Sequence, residues 1–143
     1  MNKILLIITG SIAASRCNEI ISLLNINEVK ISCILTKEAK KYVKISDIKK
    51  LLKNRIFTDE DEKKNKMLHI NLSRDNDIIV VCPATANSIA KFANGYGDNL
   101  ASNTLLASNK KILFVPAMNS FMWHNKINQK NVRLLKDLSL IHI

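Results

Sequence analysis

Two kinds of stretch alternate along this chain. In one, nearly every position is apolar; in the other, apolar residues recur every three or four positions. Lys3–Ile8, Val29–Leu35, Asp77–Cys82 and Lys111–Val115 are of the first kind. Continuous apolar runs of that length predict strands buried on both faces of a parallel sheet. A further run, Leu140 to Ile143, begins what reads as a fifth strand. Between them, Ile12–Leu24 carries apolar residues at helical spacing, at Ile12, Ala13, Cys17, Ile20, Ile21 and Leu24. Glu38–Val43 reads as a helix start, and Ser46–Lys53 as a helix with Ser46 as its N-cap. Ala86–Phe92, a segment from Asp98 as N-cap through Ala107, and Gln129–Leu138 complete the helices. His69–Leu72 is a short amphipathic stretch. Phe57–Asn65 is acidic, then basic, without an apolar period, and is expected to be a surface loop. Pro83 and Pro116 are expected to end the third and fourth strands, since Pro cannot donate to a ladder. Strands alternating with helices predict an α/β fold, a doubly wound parallel sheet of Rossmann-like or flavodoxin-like form, as a single domain over residues 1–143.

Composition adds three constraints. With 143 residues, 47% of them hydrophobic, the chain can bury the core of one domain. The net charge of +10 invites a nucleic-acid reading, but the cations are nearly all Lys, with Arg only at Arg16, Arg55, Arg74 and Arg133. Base readers lean on bidentate Arg contacts, so the excess reads as a solvated basic surface and no nucleic-acid partner is expected. No run approaches the roughly 18 apolar residues of a membrane span. The apolar part of the start, Ile4–Ile8, is shorter than the about 7–15 residues of a signal peptide. A cytoplasmic protein is expected. Cys17, Cys33 and Cys82 fit no zinc or redox spacing. Cys33 and Cys82 read as small buried hydrophobes, and no disulfide is expected.

Candidate chemistry gathers where strands end, the edge at which open α/β sheets bind ligands. Thr9-Gly10-Ser11-Ile12 lies on the first strand-to-helix turn. Gly10 permits a sharp turn, and the helix start beyond it offers free N–H groups to a phosphate. With one Gly it is neither a dinucleotide fingerprint nor a P-loop; a mononucleotide phosphate site and a plain helix cap stand level. Thr36, after the second strand, reads as a cap. Pro83-Ala84-Thr85-Ala86-Asn87-Ser88 puts small residues and three donors after the third strand, open to a flat ring or to helix capping. Pro116-Ala117-Met118-Asn119, with Met122 and Trp123 beyond, repeats the Pro-Ala ending and adds an amide among thioethers and an indole. His69 is the one imidazole placed near this edge; a lone His is more often structural, and His124 and His142 have less context still.

In order, T-G-S-I-A-A (9–14), L-T-K-E-A (35–39), H-I-N-L (69–72), P-A-T-A-N (83–87), G-D-N-L (97–100) and P-A-M-N-S-F-M-W (116–123) resemble the flavin-dependent cysteine decarboxylase family, above all its phosphopantothenoylcysteine decarboxylase branch in coenzyme A synthesis. The resemblance covers essentially the whole chain. It implies FMN, held by Gly10, Ser11, Ile12, Thr36, Thr85, Ala86, Asn87, Ser88 and Ala117. It also implies His69 as the catalytic histidine, Asn119 on the carboxylate of a small cysteinyl substrate, and Met118 and Met122 lining the site. Trimers, or dodecamers of trimers, are implied, with His69 serving a flavin held mainly by a neighbouring subunit. The implied chemistry oxidises the substrate to a thioaldehyde, whose C=S delocalises the carbanion left when carbon dioxide departs as the enethiolate forms. Members that return the electrons and make the saturated aminothiol carry a cysteine loop after the fifth strand. The sequence given ends at Ile143, before that loop and before the ligase domain of the bifunctional enzyme. The enethiol is therefore the expected product of this stretch. An oxidative peptidyl-cysteine decarboxylase and a non-catalytic flavin-binding regulatory subunit are the alternatives the family offers.

Overall fold

The computed structural model describes residues 2–53, 55–138 and 141–142. The apolar runs form β1 (Lys3–Ile8), β2 (Lys30–Leu35), β4 (Ile78–Ala84) and β5 (Lys111–Pro116). Two short strands, β3 (Ile56–Phe57) and β6 (Ile141–His142), extend them. All six are parallel, in the order β3-β2-β1-β4-β5-β6. The expected fifth strand is thus the sixth in sequence; Leu140 and Ile143 lie outside the described residues.

Alternation within the runs splits the core in two. Leu5, Ile7, Ile79, Val81, Ile112 and Phe114 face one layer of helices. That layer consists of α4 (Leu68–Arg74), α5 (Ala86–Ala93), α6 (Leu100–Ala107) and α8 (Lys126–Asp137). Leu6, Ile8, Ile31, Cys33 and Leu35 face the opposite layer, α1 (Cys17–Ile26) and α2 (Ile45–Leu52). Both faces of the sheet are covered, so the strands carry no polar alternation. The expected first helix is divided: Ile12–Arg16 is a 3-10 helix, and the α-helix starts at Cys17. The expected helix start at Glu38 is only a 3-10 turn, Ala39–Lys41.

Four expectations are corrected. Phe57–Asn65 is not a loop: Phe57 closes β3, and Asp59–Lys64 form α3. The Thr58 N–H donates to the Asp61 carboxylate at 2.8 Å, a capping arrangement that needs no apolar face. α2 begins at Ile45 with Lys44 before it, so Ser46 is inside the helix rather than its cap. Asn99, not Asp98, caps α6, accepting the Ser102 N–H at 2.8 Å. Pro83 does not end its strand, because β4 runs on to Ala84, whereas Pro116 is the last residue of β5 as expected. Pairing runs on to Ala84 opposite Pro116, across a register shift between Val81 and Ala84. The Pro83 carbonyl stays in use, accepting the Thr9 hydroxyl.

The chain runs outward from β1 through β2 to β3, then returns to lay β4 on the other side of β1. The turns after β1 and β4 therefore diverge and leave a crevice between them, the topological switch point of the sheet.

Candidate active site

A cavity of about 260 Å³ fills that crevice. Thr9 and Gly10 reach it from the end of β1, Thr36 and Glu38 from β2, and Thr85, Asn87 and Ser88 from β4. Gly10 is required by contact. A Cβ there would lie 2.4 Å from Glu38 Cβ, so the first two turns can close on each other only without a side chain. The hydroxyls do double duty. Thr36 Oγ1 accepts the Ala39 N–H at 3.3 Å, and Thr85 Oγ1 accepts the Ser88 N–H at 3.1 Å, capping α5. Capping uses an acceptor lone pair and leaves a hydroxyl hydrogen to donate. Ser11 Oγ accepts the Ala13 N–H at 3.2 Å in the same manner.

The wall opposite comes from α5 and α6, and of its residues the sequence singled out only Asn99, within G-D-N-L. Lys91 and Phe92 follow Ser88 by three and four positions, which puts all three on one helix face. That spacing was the available signal. Phe92 stacks on Phe114 of β5 at 5.8 Å between ring centroids. Lys91 pairs with Asp98 at 3.1 Å, tying α5 to the approach of α6. Asn99 and Ser102 also face the cavity. The lining is apolar at its base and uncharged around most of its rim, with Glu38 and Lys91 its only ionisable groups. This suits a flat heteroaromatic ring with hydrogen-bonding edges.

Ala117 and Met118, with Pro116 and Trp123, line a second, more open cavity of about 420 Å³ at the end of β5. The Ala117 N–H donates to the Ala84 carbonyl at 3.1 Å, locking the two Pro-Ala strand ends side by side. A short helix missed in the sequence, α7 (Ser120–His124), follows. Asn119 is its N-cap: Oδ1 accepts the Met122 N–H at 2.9 Å, which leaves Nδ2 free to donate. Asn119 and Met122 are exposed and line neither cavity.

Ser11, Ile12 and Ala86 flank the first cavity without lining it, and Ile12 is 79% exposed. His69 also lines neither cavity. It sits half-buried on α4, which packs against α6, and its Nδ1 is buried without a hydrogen-bond partner. One chain thus brings Gly10, Thr36, Thr85, Asn87 and Ser88 together, and Ala117 with Met118 beside them, but not His69, Asn119 and Met122.

The three cysteines lie on the other face of the sheet. The Cys17 thiol donates to the Cys82 carbonyl at 3.4 Å. Hydrogen bonding from Cys17 brings the half-buried Cys82 thiol down to about 7, against the opposing effect of burial. Contact with Cys82 and burial push Cys17 up, and complete burial pushes Cys33 up. Among the described residues no cluster of His, Cys, Asp and Glu could hold a metal ion, and no helix is long and apolar enough to cross a membrane.

A doubly wound sheet with a largely uncharged, ring-sized cavity at its switch point defines a nucleotide-cofactor-binding α/β protein. Within that class, the chain belongs to the Flavoprotein family, whose model matches residues 1–143. It is 32% identical over 138 residues to a probable phosphopantothenoylcysteine decarboxylase of Streptococcus mutans, covering 94% of this chain and 77% of that one. It is 35% identical over 136 residues to the epidermin decarboxylase of Staphylococcus epidermidis, covering 94% and 73%. The solved structure of the FMN-dependent cysteine decarboxylase SpaF superposes with a TM-score of 0.89 at 28% identity, covering 96% of this chain and 80% of that one.

Proposed function

We propose that this protein decarboxylates 4′-phosphopantothenoylcysteine with FMN, a step of coenzyme A biosynthesis. The observation that carries the reading is the locked pair of strand ends, Ala84 against Ala117. It joins the strand end that opens on a cavity fit for a flavin ring to the strand end that carries Ala117 and Met118. The family match along the whole chain and the S. mutans relative support it.

The fit to FMN rests on the close approach of the first two turns at Gly10, where any Cβ would clash with Glu38, and on the donors around the cavity. Gly10, Ser11 and Ile12 at the first turn, Thr36, Thr85 to Ser88, and Ala117 would hold the cofactor. Bound FMN supplies a two-electron acceptor for the thiol-bearing carbon of the substrate. The chain's own residues do the rest. Asn119 Nδ2 donates to the substrate carboxylate while Oδ1 stays on the Met122 N–H, so the helix cap fixes which end of the amide points outward. Met118 and Met122 surround the carboxylate with poorly solvating groups, which disfavours a localised charge and favours its loss as carbon dioxide. His69, with one ring nitrogen unpaired, exchanges a proton with the substrate.

A homotrimer, or a dodecamer of trimers, completes the site in this reading. His69, Asn119 and Met122 lie outside both cavities of one chain. Exposed apolar groups, Ile12, Phe121 at 90% exposure and Ile127, suit surfaces covered by another copy. Free thiols fit a reducing, cytoplasmic setting. Release of labelled carbon dioxide from phosphopantothenoylcysteine by the FMN-loaded protein tests the reading. A C-terminal cysteinyl peptide as the preferred substrate would replace it with the peptidyl-cysteine activity, and flavin binding without any decarboxylation with a regulatory role.

A further inference from the structure

α7 is five residues long. A helix that short leaves most of its carbonyls without partners and does not hold itself together. Its last carbonyls are held by two adjacent side chains on the first turn of α8, in addition to the Asn125 N–H that the Met122 carbonyl accepts at 3.3 Å. Asn128 Nδ2 donates to the Met122 carbonyl at 3.1 Å and to the Met118 thioether at 3.3 Å. Gln129 Nε2 donates to the Trp123 carbonyl at 2.5 Å. Asn128 is only 8% exposed, and its Oδ1 is buried with no partner. Burying an amide with one end unsatisfied is costly, and an apolar side chain of the same size would avoid that cost. A residue serving the core alone would not be an Asn.

Resting on the proposed decarboxylase reading, we infer that Asn128 is a positioning residue for the substrate segment. The two hydrogens of its Nδ2 join Met118, before the Asn119 cap, to Met122, after it. The amide thereby spans the turn that carries Asn119 and sets where Asn119 Nδ2 points. Gln129 secures the neighbouring carbonyl and with it Trp123. Asn128 itself lines neither cavity, so it acts on substrate only through Met118, which lines the second, and through α7.

The single Trp of the chain, Trp123, reports on this segment without any turnover. Asn128→Leu keeps the size of the side chain and removes both donors. In the FMN-free full chain it is expected to increase acrylamide quenching of Trp123 and red-shift its emission. In the FMN-loaded protein, KM for phosphopantothenoylcysteine is expected to rise about tenfold, the weight of one or two buried hydrogen bonds, with FMN affinity unchanged. Asn128→Ser, too short to reach both acceptors, carries the same expectations should the Leu variant not fold. Unchanged Trp123 quenching overturns the clamp. Loosened Trp123 with unchanged KM, or equal losses of FMN and substrate affinity, overturns its role in placing substrate. If the unmodified protein releases no carbon dioxide, the decarboxylase reading fails by itself, and Trp123 quenching still decides whether Asn128 holds α7.

Discussion

The side-chain oxygen of Asn119 accepts the Met122 N–H at 2.9 Å, so one residue starts α7 and keeps its amide nitrogen free to donate. The two roles separate by substitution. Asn119→Asp keeps a good N-cap but turns a carboxylate toward the substrate carboxylate. Stability and FMN binding should hold while kcat/KM falls about a hundredfold or more, the weight of a hydrogen bond to a charged group. Asn119→Ala should lose activity and also about 1 kcal/mol of stability with the cap. Thermal melts beside carbon dioxide release check both; full activity in Asn119→Asp removes Asn119 from substrate binding.

Gly10 is the point at which the first two turns beside the cavity meet without room for a side chain. Gly10→Ala forces the first turn away from Glu38, where the new Cβ would stand 2.4 Å from Glu38 Cβ. Overpacking of this kind costs about 1–3 kcal/mol, and it falls on the loop that would hold the cofactor. FMN affinity, read by flavin fluorescence, should drop about tenfold or more on the same scale, with the far-ultraviolet circular dichroism unchanged. Undiminished FMN affinity would move the cofactor elsewhere.

These two positions show unevenly how much was legible in the sequence. Gly10, Thr36, Thr85, Asn87 and Ser88 were readable because each follows an apolar run long enough to be a strand, and the switch point then brings those ends together. Lys91 and Phe92 were overlooked although their helical spacing from Ser88 was in view. α3 was hidden by its composition: D-E-D-E-K-K buries nothing, so apolar periodicity cannot reveal it, and only the Thr58-to-Asp61 capping spacing pointed to a helix. It docks by polar contacts, Asp59 accepting the Leu100 N–H at 3.0 Å and Glu62 bonding Asn103 at 3.2 Å. β3 has two residues and α7 five, too few for a period. Pro116 ends β5 as its position predicts, but Pro83 misled, because a missing N–H ends only one side of a strand's pairing and the Pro83 carbonyl still finds Thr9. The role of Asn128 had no sequence signal, since it depends on where α8 meets α7.

His69 lies outside both cavities of its own chain, which fits a site shared between subunits. His69→Asn should reduce decarboxylation by about 10²–10⁴-fold, the usual weight of a general acid or base, and leave FMN bound. Co-expression with Asn119→Asp chains should restore part of the activity if the two residues of one site come from different subunits. Mixed oligomers no more active than either parent would place both in the same chain.

Cys82 is the thiol set to react. Its value near 7 means its thiolate fraction rises through neutral pH and is largely complete a unit above. Alkylation by iodoacetamide, followed by peptide mass spectrometry, should modify Cys82 first, with a rate that climbs around pH 7 and then levels. Cys17 and Cys33, both pushed up, should lag. Earlier modification of Cys33 would contradict this order.

Carbon dioxide release measures the central claim most directly. The protein is stripped of flavin, divided, and one half reloaded with FMN; both halves then receive phosphopantothenoylcysteine labelled in its carboxylate. The account predicts labelled carbon dioxide from the reloaded half and none from the stripped half. No release from a fully FMN-loaded protein, or equal release without FMN, would contradict it.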